Sequence, residues 1–191
     1  MLGELIRLDL SLFFAINRGL DNSLFDTLLP WCRTPLFWSP LYLFILVYAL
    51  LHFEPKKYWV FLLGLVLSVG ITDMTSNHLM KKKVQRLRPC NSVLVKDYVD
   101  LRVERCGSGY SFTSSHAANH FAAARFIGFF FAPSCGRWTA PLLFFWAALI
   151  SFSQIYVGLH YPFDVLGGAI LGLLIASLVL LPIKKYERDR N

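Results

Sequence analysis

Charge is scarce in this chain: only 16% of its 191 residues are Asp, Glu, Lys or Arg, against about a quarter in typical soluble domains. Disorder needs the opposite balance, many charges and few apolar residues, and is excluded. Collagen-like and coiled-coil repeats are absent, which excludes a fibrous protein. Cysteine is limited to four residues, none with zinc-site spacing, so no metal-stapled module is expected. Acidic residues are few, 12 against 19 basic, giving a net charge of +7. No RNA- or DNA-binding pattern accompanies that excess. The bases flank apolar runs, so anionic head groups of a membrane bilayer or a phosphorylated substrate fit better as partners than nucleic acid does. A clean signal peptide is also lacking. Glu4, Arg7 and Asp9 interrupt the N-terminal stretch, and no small-residue cleavage site follows.

Apolar residues are what the chain has instead: 55% hydrophobic and 16% aromatic. Runs of about 20 apolar residues mark membrane spans. They predict five, at 36–53, 58–80, 114–132, 138–158 and 164–183. Residues 2–20 read as an amphipathic helix lying in the interface or re-entering it, with a sixth true span as the alternative. The expectation is one all-α integral-membrane bundle of five to six helices covering residues 1–191. By parity, the polar loop 81–113 and the turn between the last two spans share one face of the membrane. Basic residues are abundant on both faces, so charge counting does not set the orientation.

Three clusters fall on that shared face. Lys81-x6-Arg88-Pro89 follows the second span. Alone it reads equally as a stop-transfer patch or an anion clamp, because Arg offers phosphate a planar fork and Lys a point charge. Ser111-Phe112-Thr113-Ser114-Ser115-His116 opens the third span. Small hydroxyl residues there are ordinary N-caps, but a first helical turn also presents free N–H groups to an anion. Ser153-Gln154-x5-His160-x3-Asp164 joins the last two spans. A neutral imidazole attacks phosphorus well when a carboxylate holds its other nitrogen.

In order, spacing and membrane placement, the three clusters resemble the type 2 phosphatidic acid phosphatase (PAP2) superfamily, whose pattern is K-x6-R-P, P-S-G-H and S-R-x5-H-x3-D. The soluble vanadium haloperoxidases share its phosphate-site pattern. The resemblance spans essentially the whole chain. It implies a PAP2/haloperoxidase-like bundle and hydrolysis of a lipid phosphomonoester or diphosphate through a phosphohistidine, with no metal or other cofactor. It assigns His160 as nucleophile, Asp164 as its orienting partner and His116 as the acid for the leaving oxygen. Lys81, Arg88, Ser114 and the Ser115 N–H would hold the phosphate. Thr113 and Ser115 replace the family's Pro and Gly, and Gln154 stands where the family has a second phosphate-binding Arg. Lys82, Arg102 or Arg105 are the bases expected to compensate.

Asp73, Asn77 and Lys81 lie at i, i+4 and i+8 and are expected to share a helix face. Asp73 should pair with Arg125 at similar depth, as structural support, since an unpaired charge inside the membrane is expensive. Gly167, Gly168 and Gly172 suggest close helix packing. Cys90 and Cys106 bracket the polar loop and would form a disulfide in an oxidising compartment. For bacterial members the resemblance implies an inner-membrane protein with its site facing the periplasm. Undecaprenyl diphosphate, phosphatidylglycerophosphate, phosphatidic acid and lipid A phosphates all fit the substrate class. Two alternatives come from other classes. One is a metal-assisted membrane hydrolase using His116/His120 and His160/Asp164 as ligand pairs. The other is a non-enzymatic lipid-phosphate carrier.

Overall fold

The computed structural model describes residues 2–189, and every regular element in them is helical. Seven helices follow one another: α1 (Leu2–Asn17), α2 (Ser23–Cys32), α3 (Ser39–His52), α4 (Pro55–Val84), α5 (Ser115–Cys135), α6 (Thr139–Tyr156) and α7 (Pro162–Arg188). Their starts are written in the sequence. Pro opens α4 and α7, where a missing N–H costs nothing. Asn22 caps α2 by accepting from the Phe25 N–H at 2.9 Å, and the Ser114 side chain caps α5.

Four helical stretches are long and apolar enough to cross a membrane: Pro35–His52, Pro55–Val84, Thr139–Tyr156 and Pro162–Arg188. They match four of the five expected spans. The fifth, α5, is not in that set by composition, because Ser115, His116, Asn119, His120 and Arg125 dilute its apolar content. It packs among α4, α6 and α7 and buries ten residues, so it has little need of a lipid-like surface. The outer helices do present one: Leu166, Ile170, Leu174, Leu178 and Leu181 form an exposed apolar stripe along α7.

The α5–α7 contact brings the site together. A Cβ on Gly172 would lie 2.1 Å from the Ala118 carbonyl oxygen, so only glycine lets the backbones approach this closely. Around that seam, Phe61, Phe126, Phe130, Phe131 and Trp146 fill the core.

The N-terminal amphipathic helix α1 docks on the ends of α6 and α7 through Asp9, Phe13 and Asn17, which are buried at i, i+4 and i+8. Its Leu5, Ile6, Leu8 and Leu12 stay exposed, as an interfacial helix requires. Two features depart from the sequence expectation. First, residues 23–32 form a helix where no element was expected. Second, a π-turn occupies Thr75–Met80 inside α4. The pairing expected between Asp73 and Arg125 rested on similar depth alone, which does not by itself bring two side chains together. Asp73 instead accepts from Asn119 Nδ2 at 2.9 Å, and no ion pair joins it to Arg125 among the described residues. Asn77 and Lys81 do stay together, with Lys81 Nζ donating to Asn77 Oδ1 at 2.7 Å.

Candidate active site

A cavity of about 290 Å³ opens where α4, α5 and the α6–α7 turn converge. Each predicted cluster sends side chains into it. Lys81, near the end of α4, donates to the Ser115 hydroxyl at 2.7 Å, and Ser115 donates to Asn77 at 2.9 Å. Gln85 then adopts φ 51° and ends the helix, turning the chain so that Arg86 and Arg88 reach the bundle. His116 enters from the first turn of α5, and Gln154 from the last turn of α6. Ser114 is buried behind them, its N–H donating to the Asp164 carbonyl at 3.0 Å.

The orientation of His160 follows from its neighbours. Arg88 Nη1 lies 2.9 Å from His160 Nε2. A guanidinium only donates, so Nε2 accepts and the ring proton sits on Nδ1. That nitrogen faces Asp164 Oδ2 at 3.7 Å, an ionic approach outside hydrogen-bond range. The ring therefore presents an Nε2 lone pair beside a cationic guanidinium, with a carboxylate behind it. Burial pushes the imidazole down to about 4, with Asp164 opposing that shift. The ring is thus neutral, and nucleophilic in form, at physiological pH. The backbone of the same turn is pinned: the Leu159 and His160 N–H groups both donate to the Gln154 carbonyl.

Asp164 is completely buried and heavily engaged. It accepts from Arg86 Nη1 at 2.9 Å, from the Tyr161 N–H at 2.8 Å and from the Ser111 hydroxyl. Arg86 also donates to Asp9 Oδ2 at 2.5 Å, and Asp9 accepts from the Phe163 N–H at 2.8 Å. The guanidinium lies 3.9 Å over the Tyr161 ring. One arginine thus bridges two buried carboxylates and ties α1 to the residue behind His160. Sequence reasoning missed Arg86, Asp9 and Ser111 in this role. The available signal was Asp9 itself, an acid within a helix that is otherwise largely apolar.

Cys90 and Cys106 are joined in a disulfide with a Cα–Cα distance of 5.8 Å. The bridge carries Gly107 against the Arg88 guanidinium, where a Cβ would lie 3.1 Å from Cζ. The loop is further held through Arg102, which donates to Asp26 at 2.5 Å, Asp21 at 3.1 Å and the Asn17 carbonyl at 2.5 Å. That engagement removes Arg102 as the expected substitute for a charge at position 154. The other bases named for that role, Lys82 and Arg105, do not line the cavity, whereas Arg33, from the end of α2, does. Arg125 lies away from it. Among the described residues no three His, Cys, Asp or Glu side chains converge as metal ligands would, and His120 is turned to the His116 carbonyl, 2.7 Å from Nδ1.

A membrane helix bundle with two histidines, a lysine and two arginines around one pocket defines a protein that handles a phosphorylated group at the bilayer surface. The chain belongs to the PAP2 superfamily, whose family model matches residues 57–188. It is 32% identical over 173 residues to the lipid A 4'-phosphatase of Bacteroides thetaiotaomicron, covering 90% of this chain and 75% of that protein. The crystal structure of Aquifex aeolicus LpxE superposes with a TM-score of 0.64 at 26% identity, covering 91% of this chain and 94% of that one. The Bacillus subtilis PAP2-type phosphatidylglycerolphosphate phosphatase superposes with a TM-score of 0.73 at 21% identity, over 98% and 88% of the two chains, and supports the fold. The protein is an integral-membrane lipid phosphatase.

Proposed function

We propose that the protein hydrolyses its lipid phosphate by way of a phosphohistidine on His160, without a metal ion. The observation that carries this reading is the pairing of an unprotonated Nε2, held by the Arg88 guanidinium that a phosphoryl group would engage in its place, with a carboxylate behind Nδ1. Nε2 attacks phosphorus and the bond from phosphorus to the lipid oxygen breaks. His116 gives that oxygen its proton, so the lipid alcohol, or the lipid monophosphate from a diphosphate, departs. The new imidazolium keeps its Nδ1–H toward Asp164, which stabilises the positive charge. Water then attacks the phosphohistidine with His116 as base, and inorganic phosphate leaves. Lys81 and Arg88 neutralise the phosphoryl oxygens throughout and the Ser115 N–H donates to them, the largest expected contribution to rate.

Similarity to a lipid A 4'-phosphatase over 90% of the chain favours a phosphorylated glycolipid as substrate. The disulfide in the site loop favours an oxidising compartment, hence a bacterial inner membrane with the site on the periplasmic face. The test is phosphate release by purified protein in detergent with chelator. The panel is lipid A, phosphatidylglycerophosphate, phosphatidic acid and undecaprenyl diphosphate. Lipid A turnover that survives chelation supports the reading. Activity restored only by a divalent metal would favour the metal-assisted alternative, and phosphate binding without release would favour the carrier.

A further inference from the structure

Arg33 lies at the C-terminal end of α2, far in sequence from all three clusters. Its backbone is fixed by its neighbours: Cys32 is buried, and Trp38 Nε1 donates to the Cys32 carbonyl at 2.6 Å. The side chain lines the same cavity as Lys81, Arg88, His116 and His160. Its Nε is buried and has no hydrogen-bond partner, and it forms no ion pair among the described residues. The other two cations are equally short of acids. Lys81 bonds to Asn77 and Ser115, and Arg88 to His160 and the Leu159 carbonyl, leaving Arg88 Nε without a partner. By contrast, Arg86 holds two carboxylates and Arg102 three. Three cations around one cavity without a bonded carboxylate are costly unless an anion completes them.

Gln154 lines that cavity too. It is completely buried, and neither its Oε1 nor its Nε2 has a partner, so an amide donor is held ready beside the same anion. We propose that Arg33 is the third phosphate-binding cation of this site, supplying from α2 the charge that Gln154 does not bring from α6. Arg33 grips the phosphoryl oxygens together with Lys81 and Arg88, and Gln154 Nε2 donates one neutral hydrogen bond. Arg33 also lines an outer groove with Trp31 and Arg105, so it stands where a head group enters. α2 thereby becomes part of the binding site.

This inference rests on the cavity being a phosphate site, and its test separates it from the turnover reading. Inorganic phosphate binding is measured by calorimetry on the full-length protein in detergent, alongside KM and kcat for a short-chain phosphatidic acid. Arg33→Ala is expected to weaken phosphate binding and raise KM at least tenfold, with a smaller effect on kcat. Arg33→Lys should retain part of the affinity. An arginine at position 154 would reach the same cavity, so Arg33→Ala/Gln154→Arg should recover at least half of the lost binding, in logarithmic terms. Gln154→Arg alone should be neutral or harmful, since it crowds a fourth cation into the cavity. Wild-type phosphate affinity in folded Arg33→Ala would overturn the proposal. So would a double variant no better than Arg33→Ala while Arg33→Lys also behaves like Ala. Absence of turnover on any lipid would sink the phosphatase mechanism while leaving the binding comparison intact.

Discussion

Arg86→Met removes the guanidinium that bridges Asp9 and Asp164, and the structure sets the expected cost. Asp9 is 1% exposed and Asp164 0%. Their contacts to Arg86 are 2.5 and 2.9 Å. Breaking a buried pair by removing one partner costs about 3–5 kcal/mol. Arg86 itself is 26% exposed, and both carboxylates keep backbone donors, at Phe163 and Tyr161. The estimate therefore falls to about 2–3 kcal/mol. For a chain of this size that corresponds to a fall in Tm of about 4–12 °C, read by thermal unfolding in detergent. Catalysis should suffer separately, because a freed Asp164 no longer holds His160 in register. A misplacement of about 1 Å costs roughly a hundredfold, so kcat should drop about ten- to hundredfold with KM nearly unchanged. Asp9→Asn combined with Arg86→Gln should lose less than the sum of the singles, by about 1–3 kcal/mol. A Tm within about 1 °C of wild type, with undiminished kcat, would refute the claim that Arg86 supports the site.

Other consequences follow from the same geometry. His160→Ala should abolish phosphate release, and His116→Ala should lose at least about a hundredfold in kcat; near-normal turnover by either would contradict its role. The acid limb of kcat/KM should lie near pH 4, because burial pushes the His160 imidazole to about 4 from the usual 6.5 and only the neutral ring attacks. His160 has a lower pKa folded than unfolded, so protonation favours the unfolded chain. Its contribution to stability is whole above about pH 6.5 and is lost as the pH falls toward 4; an acid limb near 6.5 would contradict the buried placement. Cys90→Ser with Cys106→Ser opens a loop of sequence separation 16 and should destabilise the protein by about 3 kcal/mol, checked by the Tm of oxidised, reduced and variant protein. Gly172→Val should disrupt the α5–α7 seam by more than the roughly 1–3 kcal/mol of ordinary overpacking, since the obstacle is the Ala118 carbonyl, and should show as poor recovery of folded protein.

Much of this architecture is legible in the sequence because membrane physics leaves few choices. Apolar runs between Pro35 and His52 or Pro162 and Arg188 have to be helices, and Pro55, Ser114 and Pro162 mark where helices begin. Lys81, Arg88, His116, Gln154 and His160 lie in short clusters that are ambiguous one by one and are assigned through their joint resemblance to the PAP2 pattern, and the structure gathers them at one cavity. What escaped depends on contacts distant in sequence. Arg86 and Asp9 meet across 77 residues, and nothing near either one announces the other. Arg33 follows a ten-residue helix, Ser23–Cys32, whose modest length and interspersed Asp26 and Thr27 give no span signal. The Asp73–Arg125 pairing rested on depth alone, at about 1.5 Å per residue, and similar depth does not by itself bring two side chains together. Intramembrane Asp73 still has a partner, as the cost of burial demands, but that partner is the neutral Asn119.

The central claim is that phosphate passes through His160, and trapping the intermediate tests it most directly. Protein mixed with a radiolabelled lipid phosphate is quenched in alkali within one turnover, then digested and sequenced by mass spectrometry. The account predicts a stoichiometric, alkali-stable and acid-labile phosphoryl group on Nε2 of His160, absent in His160→Ala and accumulating in variants that slow hydrolysis. Rapid phosphate release with no labelled protein at any time, or label on a residue other than His160, would contradict it.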